Sequence, residues 1–218
     1  MVVTRASWSR RKSSRGLWVG ALLCAALFAL VYAYCASAGF DKMTRADEVA
    51  MEAAAGTVSD RFTGFWEGLT ALGDTTTIIG ATVVLSLVIA AVRGIGQGAW
   101  LLASTAAAYG LNAAVKHLVA RERPDAMWGI EADGFSFPSA NAMMTLTLYL
   151  LFAIMLARSS RIHPAIRTLV VAAAIVLIAA MGWSRLYFGV HYATDIAAGF
   201  LAGGAIVCAA AALSKART

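Results

Sequence analysis

Lys116, Arg123 and Arg185 are cations in short polar islands between long apolar runs. The islands cover residues 116–124, 137–141 and 184–195. The second holds Ser139, Ala140 and Asn141 ahead of a long apolar run; the third places His191 four residues before Asp195. A guanidinium offers a planar fork to phosphate oxygens and an ammonium offers a point charge. Ser139 suits a helix N-cap, and the free N–H groups of a helix start, Ala140 and Asn141 among them, cradle an anion. A carboxylate bonded to one imidazole nitrogen fixes the tautomer and leaves the other nitrogen free to attack. The combined chemistry is that of gripping a phosphate and attacking its phosphorus. One position does not fit. Asn141 stands where a proton donor would be expected, and an amide has no proton to give.

Each residue also has a plainer reading. Interfacial Lys and Arg can snorkel to lipid headgroups, and a Pro-Ser pair before a helix can be a cap without a ligand. Asn141 can belong to that cap or donate to a phosphate oxygen. The His191–Asp195 pair can be a structural hydrogen bond within a bundle. The pair can also bind a metal, but its two ligands are one short of a catalytic zinc site, which usually has three protein ligands; His117 and His163 are poor candidates for the third. No metal or cofactor is expected. Arg121 and Glu122 read as a solvated or mutually paired loop without a role.

The elements that carry these islands follow from composition. The chain has 218 residues, 60% hydrophobic and only 14% charged, where a soluble domain carries about a quarter charged residues. Charge-free runs cover 16–40, 75–92, 94–115, 134–157, 168–184 and 196–214, each near or above the ~17–25 residues of a spanning helix. The expected fold is all-α: one domain over 1–218, a six-transmembrane-helix bundle with an extra extracytoplasmic amphipathic helix. Arg5, Arg10, Arg11, Lys12 and Arg15 make a basic tail over 1–15; Arg158, Arg161 and Arg167 lie between helices four and five; Lys215 and Arg217 end the chain. Basic segments stay in the cytoplasm, which puts both termini inside and all three islands outside. The net charge of +6 is thus a topology signal, and no nucleic-acid partner is expected. Trp18 and Trp100 fall near the inner interface, and Trp66, Trp128 and Trp183 near the outer one, as an aromatic belt does.

Between the first two spans, residues 41–74 carry Met51, Ala54, Val58, Phe62, Phe65 and Leu69 at helical steps. This is an amphipathic helix on the outer leaflet or a packed connector, with Asp74 as N-cap of the next span. Cys24, Cys35 and Cys208 lie inside apolar runs and read as small buried residues, not as a disulfide or metal framework. The first run is read as an uncleaved helix, since its apolar core exceeds the ~7–15 residues of a signal peptide.

The spacing Lys116-x6-Arg123-Pro124, Pro138-Ser139-Ala140-Asn141 and Ser184-Arg185-x5-His191-x3-Asp195 resembles the three-part signature of the type 2 phosphatidic acid phosphatase family. That family is the membrane branch related in fold to the vanadium haloperoxidases. The motifs occupy 116–195, and the helix layout covers nearly the whole chain. The resemblance implies that His191 is the nucleophile and forms a phospho-histidine, that Asp195 orients it, and that Lys116, Arg123, Arg185 and Ser139 bind phosphate. It implies a lipid phosphate or diphosphate substrate, a bilayer as surroundings and no cofactor. The family has Pro-Ser-Gly-His where this chain has Pro-Ser-Ala-Asn, so the acid that protonates the departing oxygen is missing. A polyprenyl diphosphate, whose leaving group needs least help, is the preferred substrate. A phosphotransferase and a catalytically impaired lipid-phosphate binder are the alternatives. The basic N-terminus suits a bacterial inner membrane.

Overall fold

The computed structural model describes residues 5–125, 130 and 132–216, with side chains from residue 14 to residue 214. Expectations on Arg5, Arg10, Arg11, Lys12, Trp128, Lys215 and Arg217 lie outside the described side chains. The helices are α1 (Arg5–Ala38), α2 (Arg45–Ala55), α3 (Asp60–Thr70), α4 (Thr75–Arg93), α5 (Ile95–Val119), α6 (Ala140–Thr145), α7 (Leu151–Ala157), α8 (Pro164–Tyr187) and α9 (Ala193–Ala216). A π-helical turn, Leu146–Leu150, joins α6 to α7. The fold is all-α.

Among the described residues, five stretches are long and apolar enough to cross a membrane: Ser14–Ala38, Thr75–Arg93, Ala140–Ala157, Pro164–Tyr187 and Ala193–Ser214. The sequence led us to expect six. The third expected span, α5, has 25 residues but carries Gln97, Ser104, Thr105 and Asn112, which dilute its apolar character.

Small residues decide how closely the helices approach, as is usual where lipid and core are equally apolar. Along α1 and α9, a Cβ on Gly20 would sit 3.2 Å from Cys208 Sγ, and one on Gly204 would sit 3.2 Å from Cys24 Sγ. Two of the three cysteines are therefore the bodies that fill facing glycine notches. Farther out on α9, a Cβ on Gly199 would fall 2.6 Å from Ser139 O and one on Gly203 2.9 Å from Met143 O. These glycines, one turn apart, let the start of α6 lie directly on α9. Ile78, Ile89, Leu101, Leu148, Leu151, Met155 and Val207 form the core between α4, α5, α6–α7 and α9. Leu22, Leu23 and Leu30 of α1 point away from it and are more than half exposed.

Residues 41–74 differ from the single amphipathic helix expected. They form two helices and a 3-10 turn, Ala71–Gly73. Gly56 caps α2, and Ser59 turns extended (φ −157°, ψ 134°) before α3 begins. The chain must bend there because the two helices serve different neighbours. Asp47 of α2 is buried against α9, whereas α3 is held to α8 through Tyr187, whose hydroxyl donates to Ser59 O at 3.0 Å and accepts from Ser59 N–H at 3.0 Å. Trp66 packs on the same ring, while Phe62 and Phe65 stay exposed. Asp74 does occupy the N-cap position of α4, but its side chain makes no cap bond; it lines the cavity described next.

Candidate active site

One cavity of about 660 Å³ gathers Lys116, Arg123, Arg185, His191 and Asn141, with Ala140 and Asn112 also in its wall. Lys116 is on α5, whose Tyr109, Asn112, Ala113, Lys116 and His117 form a stripe facing the cavity. Its Nζ donates to Phe135 O. Arg123 lies on the irregular segment after α5. Pro124 biases it away from helix, and its guanidinium is fixed by carbonyls: Nε to Gly134 O at 2.9 Å, and two further nitrogens to Asp133 O and Val190 O at 2.8 Å each. Arg185 emerges from the last turn of α8 and donates to Thr70 Oγ1 at 2.7 Å, leaving its Nε buried without a partner.

His191 is held in the turn between α8 and α9. Its Nε2 lies 3.2 Å from the Arg123 guanidinium. Arginine can only donate, so Nε2 accepts and a neutral ring carries its proton on Nδ1. Nδ1 itself lies 3.5 Å from Asp195 Oδ2, too far for a formed hydrogen bond. Hydrogen bonds of this kind are often long without substrate and tighten when charge develops. Burial pushes His191 down to about 3, against the opposing pull of the Asp195 carboxylate. The ring is therefore neutral at working pH, with a lone pair aimed at the cations. Burial also lowers Arg123, with Asp195 and Asp133 working the other way.

Ser139, at 0% exposure, is the N-cap of α6, its hydroxyl accepting from Ala142 N–H at 3.4 Å. Its own N–H donates to Asp195 O at 3.0 Å, which ties the helix start to α9. The hydroxyl accepts for the cap and keeps its own proton to donate, while the cavity wall at this helix start is formed by Ala140 and Asn141. The Asn141 amide does not cap; it abuts Gly73, where a Cβ would fall 2.0 Å from its oxygen. That oxygen is buried without a partner.

Arg121 corrects the sequence reading. It is neither solvated nor paired with Glu122; it is 1% exposed and bound to Asp47 and Asp195, at 2.9 and 2.8 Å. Burial alone lowers it, but the two carboxylates reverse this and raise it above its ordinary value. Ser136, donating to Asp195 Oδ2, and Thr70, beneath Arg185, were also missed. Hydroxyls this common carry no sequence signal.

Residues 97–218, more than half of the chain, match the PAP2 superfamily. The chain belongs to that superfamily. Among curated proteins it is similar to phosphatidylglycerophosphatase B of Bacillus subtilis (strain 168), 33% identical over 93 residues. That match covers 43% of this chain and 46% of the relative, so it spans about half the relative's length. Two solved structures share the fold. The first transmembrane PAP2 type phosphatidylglycerolphosphate phosphatase from Bacillus subtilis superposes with a TM-score of 0.82 at 23% identity, over 91% of this chain and 98% of that one. Aquifex aeolicus LpxE gives 0.60 at 18% identity, over 80% and 98%. The PAP2 match begins at α5 and leaves out α1–α4, so Asp47 and Thr70 lie outside it.

Proposed function

We propose that this PAP2 chain is a membrane lipid phosphatase that works through a phospho-histidine on His191. The observation that carries the reading is the placement of His191 Nε2 in the cavity beside Arg123, with Lys116 and Arg185 in the same wall. A phosphate there displaces Arg123 from the ring nitrogen and takes up the guanidinium and ammonium donors, including Arg185 Nε. Nε2 then attacks phosphorus, the bond to the leaving oxygen breaks, and the ring becomes an imidazolium whose Nδ1–H closes on Asp195. Water afterwards attacks phosphorus and the P–N bond breaks, releasing phosphate and the neutral ring. Three cations and a helix start supply the electrostatic stabilisation of a phosphoryl transition state, and no cofactor enters the scheme.

The relatives' phosphatidylglycerophosphate substrate makes a lipid phosphomonoester one natural choice. Asn141 favours another. A general acid contributes ~10²–10⁴-fold, and an alkoxide leaving group needs it, since water's own pKa is ~15.7. A lipid phosphate leaving from a diphosphate has a second pKa of ~6 and departs without a proton. A polyprenyl diphosphate is therefore the preferred substrate. Initial rates on a lipid diphosphate and its matching monophosphate test this: the diphosphate is turned over faster, and Asn141→His narrows the gap by raising the monophosphate rate. Equal rates in the natural protein would end the preference. The missing acid also favours a second reading, a lipid-phosphate binder. His191→Asn abolishes turnover in an enzyme and leaves affinity intact in a binder. Transfer of the phosphoryl group to an acceptor other than water uses the same intermediate.

The setting belongs to the same proposal. Helix α5 also spans the membrane, making a single six-span domain with both termini in the cytoplasm. The cavity then opens on the extracytoplasmic side, with Lys116 and Ser139 at the outer ends of α5 and α6 and His191 in the outer turn between α8 and α9. A bacterial inner membrane fits this layout.

A further inference from the structure

Arg121 is the largest fully buried side chain among the described residues, and the scheme above does not use it. One of its terminal nitrogens donates to Asp195 Oδ1 at 2.8 Å and the other to Asp47 Oδ2 at 2.9 Å, and all three side chains are wholly buried. The guanidinium face lies 3.9 Å from the Tyr192 ring centre. Asp47 is itself held from both ends. Thr44 donates to it from N–H and hydroxyl, and Thr194, next to Asp195, does the same at 2.9 Å from each. Helix α2 is thereby fastened to the residue that faces His191.

The two oxygens of Asp195 have separate tasks. Oδ1 is taken by Arg121, whereas Oδ2 accepts from Ser136 and from Tyr192 N–H at 2.9 Å and faces the imidazole. The terminal torsion of an aspartate is broad, so its plane must be set by partners. Charge matters equally. Two carboxylates and one guanidinium leave one net negative charge buried beside His191, which is what an imidazolium formed during phosphoryl transfer requires.

We infer that Arg121, braced by Asp47 from α2, is a positioning residue that sets the plane and charge of Asp195 for the reaction at His191. Helix α2, although outside the PAP2 match, is then part of the catalytic apparatus. A lysine at 121 keeps the charge but cannot fork between two carboxylates. Asparagine at 47 keeps acceptor and shape and removes the brace.

The inference rests on the role proposed for His191, so two readouts are needed. One is lipid turnover by folded, monodisperse protein. The other is labelling of His191 by phosphoramidate, read by mass spectrometry. In that step Nε2 attacks phosphorus, the P–N bond of the reagent breaks and ammonia leaves with the electron pair. The ring keeps its Nδ1 proton, and the new positive charge faces Asp195. Arg121→Lys and Asp47→Asn are each expected to lower kcat and labelling by about 10-fold or more, with KM within about 3-fold because the phosphate grip is untouched. Folded variants with wild-type kcat and labelling overturn the inference, as does a raised KM with unchanged kcat. Failure of both variants to fold overturns it too, since the network would then serve folding alone. Wild-type protein that labels but turns over no lipid sinks the proposed function and leaves the inference to be judged by labelling.

Discussion

His191 and Asp195 show how a spacing of four becomes chemistry only through what surrounds it. The pair was legible in the sequence because two ionisable groups one turn apart in an apolar run have few other uses. The tautomer was not legible: it depends on Arg123, 68 residues away. Arg121 was unreadable for a related reason, since its partners lie 74 residues off on either side and its neighbour Glu122 offered a false one. The neutral state of His191 has a thermodynamic consequence. Its folded value, about 3, lies below the ~6.5 of an unfolded histidine. Between these values the unfolded chain binds a proton that the folded one refuses, so this contribution is complete above ~6.5 and fades as pH falls. Thermal denaturation should therefore show a smaller loss of Tm between pH 7 and pH 5 in His191→Asn than in the natural protein. An equal loss would mean that the imidazole is protonated in the fold.

At the scale of elements, the site is built where α6 and α8–α9 meet. The apolar runs foretold the helices, and the Pro138-Ser139 pair foretold where α6 begins. The break between α2 and α3 was hidden because apolar residues continue at helical steps across Gly56 and Ser59, and only the two docking partners require the bend. The π-helical turn at Leu146–Leu150 had no sequence signal either. Gly199 is the most exposed test of how α6 is placed. A methyl group there would fall 2.6 Å from the Ser139 carbonyl, which is backbone and cannot rotate aside. Gly199→Ala should cost about 1–3 kcal/mol through overpacking and lower turnover as well, because Ser139 N–H is bonded to Asp195 O. Denaturation and initial rates, measured on the same preparation, check both. A variant with unchanged stability would show that the two helices can separate freely.

At the scale of the molecule, charge asymmetry and helix count placed three islands on one face, and one cavity now contains residues from all three. Of the six expected spans, the third differs from the rest, since α5 trades apolar residues for a polar stripe that faces the cavity. A helix can line a site or look uniformly greasy, but not both. Sidedness is open to a direct check. A membrane-impermeant thiol reagent applied to intact cells should label a cysteine at Asp133 and not one at Arg161, and the reverse pattern would invert the topology. The most direct measurement of the whole account is to quench the protein during turnover of a lipid diphosphate labelled in its terminal phosphate and locate the label by mass spectrometry. Acid-labile, base-stable phosphate on His191, absent from His191→Asn, is the expected result. Turnover with no phosphoenzyme, or with the phosphate on any other residue, would contradict it.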